Sequence, residues 1–494
     1  MDIYKHGSYG ELGSDIITDV SEALEAGVVY IGTAPLNLVK GYSSNYINKP
    51  VLISSLKEAK EIFGYSSEWE QYTLCEAIKV HFGNTSGNVG PVIFINVLDP
   101  SVHIASTKKT GTLTFTNKRA TITDSLMIVD SFALDGKTEG TDYTVSYDYS
   151  KGQLVISDIS EKGISTNTYE YSDISMPLET MKSEVIGSIT SSGQVKGINA
   201  LKLVYQNTGI IPRKVLAPYF SSYPDVYKKI NEIARSINGR FIAQDYVDIP
   251  VVDEDGNAID TIAKAKEWAK SNDYSSQFSK IFYPMAEYNG EKYHLSTLFA
   301  ARQMLVDENN DGVPFETASN KVTNIDNLYF GESALNSGID IEDANTLNAA
   351  GITTAVYYGG NWRLWGGHTA AYSFENEDEL GKEIFDTSIA MQIYLADDFI
   401  NRYADLIDTK MTVGLIQSIV NEEQSILDNL VSTGALVGSP KFVADDVGIS
   451  EIKSGSYKWI LQDTPTSQFK DATITVVYTD EGYAALLGGS EEDE

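Results

Sequence analysis

The chain has 494 residues, more than one ordinary hydrophobic core organises, so two to four domains are expected. Hydrophobic residues make up 42% and charged residues 21%, the proportions of a folded protein rather than a disordered one. Sixty-nine acidic against 37 basic side chains leave a formal net charge of −32, which disfavours direct contact with nucleic-acid phosphates, and apolar runs such as residues 92–97 fall far below the roughly 18 residues of a membrane helix.

Residues 1–25 are polar and irregular and read as an extended arm. They hold no apolar stretch behind a basic start, so no secretory signal is expected and synthesis in a cytoplasm is. Val28, Val29, Tyr30 and Ile31 form a β-branched and aromatic run closed by Gly32 and Pro35, which predicts a buried strand and a turn. A serine cap at Ser54, apolar Leu56, Ala59, Ile62 and Phe63, and then Gly64 predict a short amphipathic helix. A helix over 70–82 and a strand over 91–100 complete a β-α-α-β order, the mark of an α/β layer. The lone cysteine, Cys75, rules out an internal disulfide and is expected to be a small buried residue on its helix.

The pattern changes at 107. Up to 195 the chain reads as short alternating strands between turn signals such as Asp135-Gly136 and Lys151-Gly152, which predicts an inserted antiparallel β domain. The α/β pattern then resumes with strands at 213–220, 239–250, 280–288 and near 355, and helices at 224–238, 261–271 and 296–304. Trp362, Arg363 and Trp365 are expected in a turn that stabilises the core. Helices over 382–408 and 412–433 and strands at 441–443, 456–462 and 472–478 close the chain, ahead of an acidic tail. The expected class is therefore α/β and α+β multidomain: an arm (1–25), a mixed-sheet α/β core (26–106 and 196–378) with an inserted antiparallel β domain (107–195), a C-terminal α+β domain (379–480) and a tail (481–494).

Catalytic constellations are weak. No GxSxG, HExxH, Walker A or GxGxxG motif occurs, and the five histidines show no metal-ligand spacing. Asp307, Asn309, Asp311 and Gly312 occupy the first, third, fifth and sixth positions of a calcium loop. The twelfth, which needs a bidentate Glu, is Ala318, and Pro314 interrupts the loop. A polar turn after a helix is the expected reading. No catalytic residue, metal or cofactor is expected.

Four segments, in order, resemble the tail sheath proteins of contractile-tailed phages and phage-like particles. The first runs from GVVYIGTAP through NKPVLISSLKEAKEIFG and YTLCEAIKVHFGN to PVIFINVLDP. The second pairs VLAPYFS with DYVDIP. The third is PFETASNKVTNI, with Ala318 in place of the usual Pro and Phe315 near the usual Trp. The fourth is LNAAGITTAVYYGGNWRLWGGHTA, with His368 where Arg is usual. The resemblance spans residues 27–370. It makes Gly32, Thr33, Ala34, Pro35, Asn320, Lys321, Arg363, Trp365 and Gly366 core motif residues.

The resemblance implies a helical homo-oligomer of stacked hexameric rings around an inner tail tube protein. Baseplate and tail terminator proteins are the further partners, and the target membrane is reached only through the tube. It places the chain in a virion tail or phage-tail-like particle assembled in a bacterial host cytoplasm. It also implies that both termini donate strands to neighbouring subunits: Ser14, Asp15, Ile16, Ile17, Thr18, Asp19 and Val20 from the arm, and Thr473, Ile474, Thr475, Val476, Val477 and Tyr478 from the end of the chain. Acidic charge and a tyrosine-rich β domain leave a secreted carbohydrate-binding or carbohydrate-active protein as the alternative. A surface-layer assembler is a third reading.

Overall fold

The computed structural model describes residues 26–83, 88–332, 334, 338–445, 447–480, 482, 483 and 486. The expected pairing residues Ser14 to Val20 lie outside them. At the centre is an eight-stranded sheet. Its strands run across in the order Asn361–Trp365, Ile352–Tyr358, Ser279–Phe282, Gln244–Asp248, Ile211–Leu216, Ala26–Gly32, Val92–Asn96 and Pro50–Ile53. Neighbours are parallel except at the two ends, where Ile352–Tyr358 meets Asn361–Trp365 and Val92–Asn96 meets Pro50–Ile53 antiparallel. This is a mixed α/β sheet, as expected.

Both faces are covered, so Ala26–Gly32 and Val92–Asn96 read as near-continuous apolar runs, while Gln244–Asp248 and Ser279–Phe282 also bury polar residues such as Asp245 and Lys280. Val28, Tyr30, Phe94 and Leu216 pack on one face with Ala77 and Ile78 of helix Leu74–Phe82 and Leu298 and Phe299 of helix Leu295–Asn309. Val29, Ile31, Ile93 and Val215 pack on the other face with Val226 and Ile230 of helix Pro224–Ala234. Cys75 is buried among them on its helix, and burial pushes its thiol up to about 12.

Two three-stranded sheets form the inserted unit around Met127, Val129, Leu134, Leu154 and Ile156. The entering strand Ile104–Thr114 and the leaving strand Thr166–Ile174 pair with each other, starting at Ile104 opposite Ile174. The unit as folded therefore ends near Ile174, not 195. Beyond it, Leu178–Ile186 is a helix whose Met181 and Val185 pack in the core of the main sheet. Its Leu, Glu, Met and Lys residues favour a helix and Gly187 closes it, signals that the strand reading of 107–195 passed over.

Three other expectations change. The run 280–288 is two strands, Ser279–Phe282 and Met285–Tyr288, because Pro284 has no N–H for a ladder. The expected turn at Trp362, Arg363 and Trp365 is the edge strand Asn361–Trp365 of a hairpin turned by Gly359 and Gly360. The expected long helix is Asp386–Arg402, preceded by the separate short turn Lys382–Ile384.

Candidate functional site

The motif residues supplied by the sequence hold the fold together. Gly32 ends a buried strand against the start of helix Leu74–Phe82; a Cβ there would lie 2.2 Å from Thr73 Oγ1. Thr33 Oγ1 donates to the Gln71 carbonyl (2.7 Å), and the Ala34 amide donates to Asn96 Oδ1 (2.8 Å). Together with Pro35 they lock the strand-to-helix turn. Asn320 and Lys321 run beside the edge strand Asn361–Trp365. The Asn320 amide donates to the Leu364 carbonyl (2.6 Å), and the Leu364 amide donates to Lys321 (3.1 Å). Arg363 directs its guanidinium at the carbonyls of Asn320 (2.7 Å) and Tyr358 (3.2 Å), and the Gly366 amide donates to Ser319 Oγ (3.0 Å). These groups close one edge of the main sheet, where bare hydrogen-bonding groups would otherwise template other chains.

The C-terminal unit is built differently. Its core holds Met391, Leu395, Ile419, Leu427, Leu430 and Phe442, from helices Asp386–Arg402 and Val413–Ser432 and one strand. Thr412 caps the second helix by accepting from the Leu415 amide. The only sheet described here is the antiparallel pair Lys441–Ala444 and Trp459–Gln462. Gln424 occupies the outer edge of the first strand: its Oε1 accepts from the Phe442 amide and its Nε2 donates to the Pro440 carbonyl. The outer edge of Trp459–Gln462 has no partner strand among the described residues. Two strands are marginal alone.

The joint between this unit and the main body has polar pairs beside the apolar contacts of Val313 and Phe315. Asp386, at the start of its first helix, pairs with buried Lys280 (2.8 Å), whose ammonium also donates to the carbonyls of Gly366 and His368. Arg213 reaches Asp397 (3.5 Å) and lies over the Tyr394 ring. Burial pushes the Asp397 carboxyl up to about 6 against the pull of Arg213. Arg240 donates to Asn401 Oδ1 (2.9 Å).

The expected terminal strand at 472–478 has no partner within the described chain and forms no strand. A strand exists only through its ladder, and no free edge of the same subunit meets this segment. The segment runs out into solvent with Ile474, Val476, Val477 and Tyr478 between 76% and 86% exposed. At the former calcium-loop candidate, Asp307 accepts from Lys214 and from Gln303, so its carboxylate serves an ion pair inside the fold. Among the described residues no group of three or more His, Cys, Asp or Glu is arranged to hold a metal ion.

The architecture is similar to that of a chain in the cryo-EM structure of the anti-feeding prophage baseplate, with a TM-score of 0.55 at 12% identity, covering 96% of this chain and 98% of that one. A chain of the contracted sheath complex of PVC, an extracellular contractile injection system, gives a TM-score of 0.49 at 10% identity, covering 97% of this chain and 100% of that one. In sequence, 454 residues, 87% of this chain and 86% of the relative, align at 26% identity with the tail sheath protein of Burkholderia phage BcepMu. The resemblance carried by the four segments is borne out. No protein-family model matches the chain.

Proposed function

We propose that this chain is the repeating subunit of a contractile tail sheath, which polymerises helically and contracts to drive an inner tube through a target cell envelope. The similarity to a tail sheath protein over 87% of the chain supports the class. The observation that carries the mechanism is the unfinished C-terminal unit: a two-stranded sheet with a bare edge at Trp459–Gln462 and an apolar segment that leaves the subunit unpaired. Residues 473–478 of one subunit add as a strand to that edge on a neighbour, the β-augmentation mode of binding. Residues 14–20 make a second such tie. A head-to-tail contact that does not close generates a helix.

Magnitudes bear on how strong one tie is. Full burial of four large apolar side chains would contribute roughly 6–12 kcal/mol. Ordering six residues costs about 6–12 kcal/mol in backbone entropy. The two nearly cancel, so a single arm is a weak, reversible tie, and strength comes from many ties in a lattice. Such a mesh lets subunits repack while staying linked.

The work is mechanical, with energy held in interfaces that have two packings. The partners are further copies in stacked hexameric rings, an inner tube protein, and baseplate and terminator proteins. Assembly takes place in a bacterial host cytoplasm. The carbohydrate alternative finds no support among the relatives.

The test is negative-stain electron microscopy of the purified chain over a concentration series, beside a chain ending at Ala472. Tubes or stacked rings from the full chain only, with equal melting temperatures, are expected. Equal tubes from both would overturn strand donation by this segment. Monomers of the full chain that bind glycans would favour the alternative.

A further inference from the structure

Between the C-terminal sheet and the exposed segment, residues 466–472 run along the main body and form one wall of a cavity of about 1070 Å³. Thr466 still belongs to the C-terminal unit, its amide donating to the Ala435 carbonyl (3.2 Å). Four residues later the chain is held by the main body. Lys470 Nζ donates to Glu377 Oε1 (2.9 Å) and to the Tyr372 hydroxyl (3.3 Å). Between them, the Gln468 side-chain amide lies 3.1 Å from Asp386 Oδ1, 3.0 Å from Thr387 Oγ1 and 3.4 Å from the Gly367 carbonyl. Gln468 also sits where Gly367 would carry a side chain, since a Cβ there would lie 1.8 Å from Gln468 Oε1. Asp386 holds Lys280, which is 1% exposed on a middle strand of the main sheet.

We propose that Gln468 and Lys470 are the anchor of the C-terminal arm, fixing its point of departure and passing tension from a neighbouring subunit through Asp386 and Lys280 into the eight-stranded sheet. The inference rests on the strand-donation reading for its role in assembly, but the anchor itself belongs to the single subunit. Charge-assisted hydrogen bonds give such a path a defined geometry.

With the anchor intact, about two residues (471 and 472) link the held chain to the pairing segment. Without it, about six (467–472) do. A threefold longer tether and a −3/2 power dependence predict a roughly fivefold loss of effective concentration. The critical concentration for tube formation rises by the same factor.

The experiment uses the full chain with spin labels at Thr475 and Ala263. Cys75 is buried, so labels go only to the introduced cysteines. Electron–electron resonance of the monomer is compared for the parent, Q468A/K470A and G367A, together with the critical concentration of the unlabelled chains. Expected are a narrow distance distribution for the parent, a broad one for both variants, unchanged melting temperatures, and roughly fivefold higher critical concentrations. K470R, which keeps the charge to Glu377, retains the narrow distribution in a Gln468 background. Parent-like distributions in both variants overturn the anchor. Broad distributions with a parent-like critical concentration overturn its part in assembly. If the chain ending at Ala472 polymerises normally, the strand-donation reading falls while the distances still decide the anchor.

Discussion

The main sheet and the C-terminal unit answer the same physical problem in opposite ways. In the main sheet, every parallel strand is covered on both faces and one edge is closed by Asn320 and Lys321. The C-terminal unit has its own apolar core, yet its sheet stops at two strands with Trp459–Gln462 bare, and its chain end places four large apolar side chains in solvent. The main sheet has one closed edge, and Pro50–Ile53 at its other end pairs with Val92–Asn96 alone. The C-terminal unit leaves a strand edge and an apolar segment open, and charged pairs as well as Val313 and Phe315 join it to the main body. A polymer that must hold together while its subunits turn needs both: a rigid body and an open tie.

The sharpest way to break this contrast is to remove equivalent apolar bulk from each region. Phe94 is fully buried and stacks near Tyr30 at 5.7 Å, so Phe94→Ala is expected to lower monomer stability by about 3–5 kcal/mol in chemical denaturation. Val476→Ala, at a side chain 86% exposed, should leave the monomer unchanged and weaken only assembly. A destabilised monomer from Val476→Ala would mean that the arm packs on its own subunit.

The joint comes next. Lys280→Ala strands the buried Asp386 carboxylate, and a loss of about 3–5 kcal/mol is expected. The double change K280M/D386L removes both charges and should restore most of the monomer's stability, while still loosening the path to Gln468. A double variant no more stable than Lys280→Ala would show that the pair is not the source of the cost.

A third handle lies within the main body alone. Burial opposes a charged His294, but the adjacent Glu76 carboxylate, 2.7 Å from Nδ1, outweighs it and holds the ring's pKa up to about 9. The folded pKa exceeds the ordinary 6.5, so this stabilisation is complete below pH 6.5 and is lost as pH rises through 9. A fall on the order of 3 kcal/mol across that window is expected. Glu76→Gln should flatten it, and a pH-independent midpoint in the parent would contradict the pairing.

The smallest effect is expected from excising the inserted unit. Its entering and leaving strands meet at Ile104 and Ile174, so a short Gly/Ser link can replace the residues between. Leu38 must be changed to Ser in the same variant, because it packs into the insert's core. Asn37→Ala and Tyr72→Phe are added, because those buried side chains donate to the Ser125 and Met127 carbonyls of the insert. The remaining main body also loses Ile128 from its core. It should still melt as a folded unit, which calorimetry would read.

Much of this was legible in the sequence. The run around Tyr30 and the short helix ending at Gly64 carried patterns that local physics enforces, while the motif near Asn320 was legible only through the family resemblance. The helix Leu178–Ile186 was missed although Leu, Glu, Met and Lys favour a helix and Gly187 ends it, because it follows a run of strands without a break in the strand reading. The edge strand Asn361–Trp365 was hidden by the glycines before it and its tryptophans, and Arg363 serves the carbonyls of Asn320 and Tyr358. The segment 473–478 had the alternation of a strand but no partner to make it one. Gln468 and Lys470, which fix where that segment departs, gave no sequence signal, since isolated polar residues acquire meaning only from what the fold brings to them.

The central claim is that this subunit is finished by its neighbours, and a helical cryo-EM reconstruction of assembled tubes tests it most directly. The account predicts residues 473–478 of one subunit as an added strand along Trp459–Gln462 of another. Tubes in which that edge stays bare and the segment stays in solvent would contradict it.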